Sequence, residues 1–199
     1  MTTESTTTRP RLGIRPLRLA DSAAIAELYR QNRDFLRIWE PDEPDEFFTG
    51  EGQQEAVAST LRECAGGRML AWVITADGEI AGRIYLNNLA MGPLRSCSVG
   101  YWVARRHGGR GLATFAVDSA LDVAFHDLAL HRVDAFVRVD NERSLRVLEK
   151  NGFRTVGVSR RHLHVGGRWR DEIYLQKLAP WDDGVQLEPD YAAPTPGES

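Results

Sequence analysis

The sequence is poor in the features that mark several large classes of protein. It has two cysteines in 199 residues, Cys64 and Cys97, and they form no Cys-x-x-Cys pair. That excludes a disulfide-dense scaffold and a cysteine-built zinc site. Two free thiols in a reducing compartment is the direct reading, and a single disulfide stays open. No apolar run approaches the ~20 residues that a membrane-spanning helix needs. The start, Met1 to Thr8, is polar and threonine-rich and lacks the apolar centre of a secretory signal. A cytoplasmic protein is expected. Positive charge is not in excess either: the formal net charge is -3. The global basic field of a non-specific nucleic-acid binder is missing, so no direct nucleic-acid contact is expected, and a local basic patch stays open. Internal repeats are also absent.

What is present suits one medium-sized globular domain: 42% hydrophobic and 27% charged residues, an ordinary balance. Residues 1–8 and 182–199 read as flexible tails, the second rich in proline and short of apolar residues. Residues 9–181 read as the domain. Leu12–Leu17 is expected as a first strand. Asp21 is a candidate N-cap for a helix carrying Ala24, Ile25 and Leu28. Arg33–Trp39 is expected as a second short helix stopped by Pro41, and Gln53–Ala65 as a third ended by Gly66-Gly67. Leu70–Thr75 and Ile80–Leu86 are strands joined by an Asp77-Gly78 hairpin turn. Ser96–Val103 is a strand. Leu112–Leu128 is helical, Arg132–Asp140 alternates as a strand, and Asn141 opens a helix that ends at Asn151-Gly152. Phe153–Val158, His162–Val165 and Trp169–Leu178 close the chain as strands. The order predicts an α/β (α+β) fold with a mixed, mostly antiparallel sheet and helices on both faces.

The most informative stretch is Val103-Ala104-Arg105-Arg106-His107-Gly108-Gly109-Arg110-Gly111-Leu112-Ala113. It leaves a strand and enters a helix. Glycines let backbone N–H groups approach a ligand, and the helix adds free N–H groups and the positive end of its dipole. Such a site suits a pyrophosphate, and Arg105, Arg106 and Arg110 add charge. It is not a Walker A loop, because no Gly-Lys-Ser/Thr follows. A dinucleotide fingerprint would need a further glycine where Thr114 and Phe115 stand, although Asp140 ends the next strand where a ribose-binding acid could sit.

The spacing Arg106-x-x-Gly109-x-Gly111 resembles the coenzyme A loop of the GNAT N-acetyltransferases. Asn141-Glu142-Arg143-Ser144 and Leu148-Glu149-Lys150-Asn151-Gly152-Phe153 resemble that family's Asn-x-x-Ser…Leu-Glu-Lys-x-Gly-Phe segment, and Val99–Val103 resembles the strand that holds the acetyl group. Asn32-Arg33…Trp39-Glu40-Pro41 and Gly167-Arg168-Trp169-Arg170-Asp171 are similar to segments of the RimJ/RimL group, which acetylates N-terminal α-amines of ribosomal proteins. The resemblance covers about residues 11–181.

The resemblance implies acetyl-CoA as the donor, with Trp102, Val103, Arg106, His107, Gly108, Gly109, Arg110, Gly111, Leu112, Ala113, Asn141 and Ser144 around it. It implies a splayed pair of central strands that part beyond Trp102, and a backbone N–H near Val103 on the carbonyl oxygen. Ser144 is the candidate proton donor to the leaving sulfur; the plainer reading of Asn141 and Ser144 is a helix cap. A carboxylate expected before the closing hairpin falls on Arg161, so the base is sought in His162, with its neighbour His164, or in Glu40. The His-x-His pair lacks further ligands, and no metal is expected. The acceptor is a primary amine: a protein N-terminus, a ribosomal protein's first, with a lysine or a small amine as alternatives. A non-catalytic CoA sensor or ribosome-assembly factor also stays open. A monomer or homodimer is expected.

Overall fold

The computed structural model describes residues 10–181, so both proposed tails lie outside the described residues. A seven-stranded sheet runs in the order β1-β2-β3-β4-β5-β7-β6. Its strands are β1 (Leu12–Pro16), β2 (Leu70–Ala76), β3 (Glu79–Ala90), β4 (Ser96–Val103), β5 (Arg132–Arg138), β6 (Arg154–Val165) and β7 (Arg168–Leu178). Four helices pack on it: α1 (Ser22–Leu36), α2 (Gly50–Ala65), α3 (Leu112–Asp122) and α4 (Glu142–Lys150). Every neighbouring pair is antiparallel except β4 and β5.

Side-chain alternation divides the sheet's residues between two cores. One face presents Ile74, Ile84, Leu86, Val133, Ala135 and Val137 to the α3 side, where Ala116, Val117, Ala120 and Leu148 are buried. The other presents Ala71, Val73, Trp102 and Ala104 to Ile25, Leu28, Tyr29, Leu36 and Val57 of α1 and α2. Burying such side chains contributes about 1.5–3 kcal/mol each before entropy is counted.

Several expectations change in detail. The short helix expected over Arg33–Trp39 is not separate: its first residues are the last turn of α1. The buried positions Ile25, Leu28, Tyr29, Asn32 and Leu36 keep one helical stripe, and no glycine or proline interrupts it before Pro41. Asp21 does not cap α1 with its side chain. Its carboxylate instead takes a bidentate pair from Arg15 and the N–H of Arg18, which pulls its pKa down. The helix from Leu112 leaves α geometry after Asp122 and finishes in a wider π-type turn over Val123–Asp127. The two strands expected over 153–165 are one, β6, with its register broken between Ser159 and Leu163, where Arg161 takes φ +50°. Both cysteines are free.

The join between β4 and β5 positions the site. These strands pair only at Ser96–Arg132, Cys97–Val133 and Ser98–Asp134. The gap therefore opens from Val99, short of the Trp102 expected. Sheet twist explains it: β5 is paired along its whole length with β7, and the twist carries that unit away from β4, which stays with β3.

Candidate active site

The turn after β4 is built largely from backbone. Arg105–His107 forms a single 3-10 turn, in which His107 N–H donates to Ala104 and Gly108 N–H to Arg105. Gly109 and Gly111 follow at φ +75° and +82°, conformations that side-chain-bearing residues resist. A Cβ on either would meet no protein atom. Gly111 N-caps α3 without any side-chain bond. The first intrahelical donor is Phe115, to the Gly111 carbonyl. The N–H groups of Leu112, Ala113 and Thr114 thus lie ahead of the helix's own ladder, at its positive end. Arg110 stands exposed beside them. Arg106 folds back: its Nε donates to His107 Nε2 at 2.9 Å and its fork to Gln31 Oε1 at 3.1 Å. Burial, Arg106 and Arg110 together lower the pKa of His107, so its ring is held neutral. The buried Asn32 ties the turn to α1, accepting from the Arg105 N–H at 2.8 Å while its own amide donates to Leu28.

The open edge of β4 faces the gap. Ala104 donates its N–H to Ala81 of β3. Successive strand residues point their backbone groups to opposite sides, so Val103 directs its N–H the other way, to the side β5 has left. At the mouth of α4, Asn141 accepts the Ser144 N–H at 3.1 Å, a helix cap. Ser144 is half-buried and its hydroxyl lies 2.9 Å from the Tyr101 hydroxyl. Burial pushes the Tyr101 phenol up to about 12, with the bond to Ser144 opposing, so it stays protonated at neutral pH.

Two titratable groups stand on the opposite face of the sheet, one on each side of the gap. Glu40, just past α1, is half-buried, and its carboxyl is pushed up to about 7 by desolvation, with Arg83 drawing it back and Glu43 adding to the rise. Around it are Tyr29 and Tyr85, both driven upward chiefly by burial. Tyr29 lies against Trp102, ring centroids 4.7 Å apart. Across the gap, His162 sits in the bulge of β6, stacked on Phe136 of β5 at 4.3 Å. Its Nδ1 is 2.6 Å from the carboxylate of Glu172, a buried residue of β7. The acid missing at Arg161 is thus matched by one on the next strand. The segment after α1 spans the two sides. Arg138 of β5 bonds the Ile38 carbonyl and stacks on Trp39 at 4.8 Å, and Asp42 accepts from Gly167 N–H at the β6–β7 turn, 3.1 Å. Asp140 is taken by Arg138 at 2.9 Å and is no free ribose acceptor. Among the described residues no three His, Cys, Asp or Glu side chains cluster as metal ligands.

Sequence reading gave no site role to four of these residues. Asn32 and Tyr101 fall in segments that carry the resemblance, but nothing there showed their partners, and Glu172 is ten residues from His162 along the chain. Arg83 did leave a signal, a lone charge in the otherwise apolar run Ile80–Leu86.

A glycine turn at a helix mouth, beside a parted pair of strands, is the architecture of an acyl-CoA transferase, and comparison with known proteins agrees. The model of the acetyltransferase (GNAT) domain matches residues 11–154, so the chain belongs to the GNAT acetyltransferases. It is similar to the probable N-acetyltransferase YjcK of Bacillus subtilis (33% identity, covering 85% of this chain and 95% of that one). It is also similar to the [ribosomal protein uS5]-alanine N-acetyltransferase of Escherichia coli (27%, 89% and 93%) and to the spermidine N(1)-acetyltransferase of that organism (26%, 81% and 83%). Among solved structures it resembles Mycobacterium smegmatis RimJ in complex with CoA-disulfide, with TM-score 0.82, 36% identity, and 84% and 82% of the two chains covered. The protein is an acetyl-CoA-dependent N-acetyltransferase. The sensor, assembly-factor and dinucleotide readings give way to it. No helix among the described residues is long and apolar enough to cross a membrane.

Proposed function

We propose that the acceptor is the α-amine at the N-terminus of a protein, a ribosomal protein first among the candidates. The observation that carries this reading is Glu40, an acceptor-side carboxyl whose pKa of about 7 lies close to that of an α-amine. A free α-amine titrates near ~8 and a lysine near ~10.4, so a base poised near neutrality is matched to the first. The similarity to the uS5-alanine enzyme and to RimJ supports the same choice.

The residues divide the work. The amides from Gly109 to Ala113, with Arg106 and Arg110, would hold the diphosphate of acetyl-CoA; His107 and Gly108 shape the turn that presents them. Trp102 and Val103 on one side and Asn141 on the other would flank the pantetheine arm. When bound, acetyl-CoA supplies an acyl carbon activated as a thioester. Glu40 accepts the proton of the incoming ammonium. The Val103 N–H is aimed where negative charge grows on the carbonyl oxygen, and one such donor is worth about 3–4 kcal/mol in comparable sites. Ser144 passes its hydroxyl proton toward the departing sulfur and is reprotonated through Tyr101, 2.9 Å behind it. The second proton, shed by the acylated nitrogen and carried by water, returns to Tyr101, so the thiol leaves protonated and the net proton is the one on Glu40. His162, backed by Glu172, is the competing base across the gap.

Peptides beginning with Ala or Ser, incubated with acetyl-CoA, are expected to release thiol and gain one acetyl group at the α-nitrogen by mass spectrometry. Ser144→Ala is expected to lower kcat by roughly 10–100-fold with little change in the KM for acetyl-CoA. The similarity to a spermidine enzyme favours a second reading, a small polyamine acceptor. Acetylation of spermidine alone, with every peptide refused, would establish that reading instead.

A further inference from the structure

Arg83 stands in the middle of β3, opposite Val73 of β2 and Trp102 of β4, on the face covered by α1 and α2. Only 3% of its surface is exposed. Taking an ion out of water costs several kcal/mol unless it is paired, and buried arginines are ordinarily paired. This one is not. Among the described residues its nitrogens make no hydrogen bond and no ion pair, and its Nε is sealed from solvent with no partner. The Tyr85 ring lies 4.8 Å from the guanidinium carbon, which supports the cation but satisfies none of its N–H groups. Glu40 feels its charge but makes no ion pair with it, and being titratable near neutrality is no permanent counter-charge. A planar cation with unused donors is therefore held beside Trp102, on the edge strand of the gap, with a proton-accepting carboxyl next to it.

We propose that Arg83 determines acceptor specificity: its fork receives the carbonyl or carboxylate oxygen that neighbours the amine in an α-aminoacyl group, while Glu40 takes the amine. This rests on Glu40 facing the acceptor. The shared chemistry is an amine one carbon away from an oxygen acceptor, as in a peptide N-terminus or a free amino acid. Spermidine has no such oxygen. Arg83 answers the requirement that a guanidinium buried at such cost find an acceptor, and it does so only when the right substrate is present. A site built to donate to a substrate oxygen rejects an analogue lacking it far more strongly than an apolar pocket rejects a change of shape. Tyr85 and Trp102 fix the plane of the fork and so act as positioning residues.

The test uses the full chain and saturating acetyl-CoA. The acceptors are an Ala-initiated peptide, free alanine, alaninamide, 2-aminopropane (alaninamide with a methyl group in place of its carboxamide) and spermidine, with wild type, Arg83→Lys and Arg83→Met measured in parallel. Rates are expressed per free amine, because an alkylamine is far less deprotonated than an α-amine at neutral pH. On that basis wild type is expected to favour alaninamide over 2-aminopropane by at least about 100-fold in kcat/KM. Arg83→Met is expected to raise the KM for carbonyl-bearing acceptors roughly 10–100-fold, the range of one to two charge-assisted hydrogen bonds. Loss of Arg83 also lets the Glu40 pKa rise further, so the acceptors are compared at a pH where Glu40 is ionised in both proteins. There 2-aminopropane should lose far less than the carbonyl-bearing acceptors, and Arg83→Lys should recover part of their loss. A purely structural Arg83 would lower the melting temperature and depress every acceptor alike, and that result overturns the proposal. If Arg83→Met does not fold, the wild-type ratio decides alone. Refusal of every carbonyl-bearing acceptor, or equal use of alaninamide and 2-aminopropane, also overturns it. Peptide transfer that is indifferent to Arg83 removes this inference and leaves the N-terminal reading intact. Arg83-dependent transfer to alanine or alaninamide but to no peptide does the reverse.

Discussion

The donor side and the acceptor side of the gap are made in opposite ways. On the proposed donor side the groups left open are main-chain amides, from Gly109 through the first turn of α3; Arg106 folds back onto His107 and Gln31, and Arg110 stands exposed. On the proposed acceptor side the candidates are side chains, Glu40, Arg83 and His162, brought from the end of α1, from β3 and from β6. A backbone site depends on conformation and serves any molecule with the same diphosphate. A side-chain site depends on identity and can be rewritten one residue at a time. One scaffold can therefore keep its donor while relatives differ in acceptor, as the uS5-alanine and spermidine enzymes do.

The largest expected effect breaks the donor side through conformation alone. Gly111 holds φ +82°, and a Cβ there meets no atom within 4 Å beyond its chain neighbours, so Gly111→Val acts through backbone conformation rather than through a Cβ clash. It does place a β-branched residue in the left-handed region, at a strain of about 1–3 kcal/mol. Relief comes by rotating the amides of Leu112 and Ala113 away from the site. The KM for acetyl-CoA is expected to rise at least about 30-fold, a shift that about 2 kcal/mol of displaced anion binding produces. Unchanged KM in steady-state kinetics would show that these amides are not what holds the diphosphate.

This contrast also explains what could be read before the structure. The glycine pattern Gly108-Gly109-x-Gly111 between a strand and a helix is local, and glycine at 109 and 111 is demanded by backbone geometry, so the strand, turn and helix mouth were legible. The sheet was legible for the same reason: period-two alternation in Arg132–Arg138 and the Asp77-Gly78 turn are short-range signals. The misreadings fell where long-range packing decides. A continuous apolar stripe fused the expected Arg33–Trp39 helix into α1. A bulge at Arg161 kept β6 whole while turning His162 toward Phe136. The pairing of β5 with β7 opened the gap at Val99. Glu172 behind His162 and Tyr101 behind Ser144 depend on register across strands, or on a helix end meeting a strand, and no spacing in the chain announces either.

A smaller effect sharpens the acceptor side. The Glu40 carboxyl is pushed from 4.5 up to about 7 in the fold. The sign follows: the folded state binds this proton more tightly than the unfolded chain. Its contribution to stability is complete below about 4.5 and is lost as pH rises through about 7. Glu40→Gln is expected to remove that dependence, making the variant more stable than wild type at pH 8 by roughly 1–2 kcal/mol once partial solvation is allowed for. Urea unfolding at pH 5 and pH 8 measures it. Activity should move oppositely. Wild-type kcat/KM for an N-terminal peptide climbs as Glu40 ionises near pH 7. The variant loses about 10–100-fold at pH 7.5 together with that limb of the profile. If the limb survives Glu40→Gln and disappears in His162→Asn, the base is the histidine backed by Glu172.

The smallest expected effect tests whether the donor side is as independent of side chains as its geometry implies. Arg106 is half-exposed, and its guanidinium is already engaged by His107 and Gln31, with Glu79 3.9 Å away. A surface cation in that state adds long-range attraction rather than a fixed contact, and at physiological ionic strength its reach is about 8 Å. Arg106→Ala is therefore expected to raise the KM for acetyl-CoA only about two- to fivefold, an energy of roughly 0.4–1 kcal/mol, within the range of exposed ion pairs. The difference from wild type should shrink as salt is raised to 0.5 M. A loss as large as that of Gly111→Val, insensitive to salt, would mean that Arg106 turns from Gln31 to grip the diphosphate directly. The donor side would then share the side-chain logic of the acceptor side.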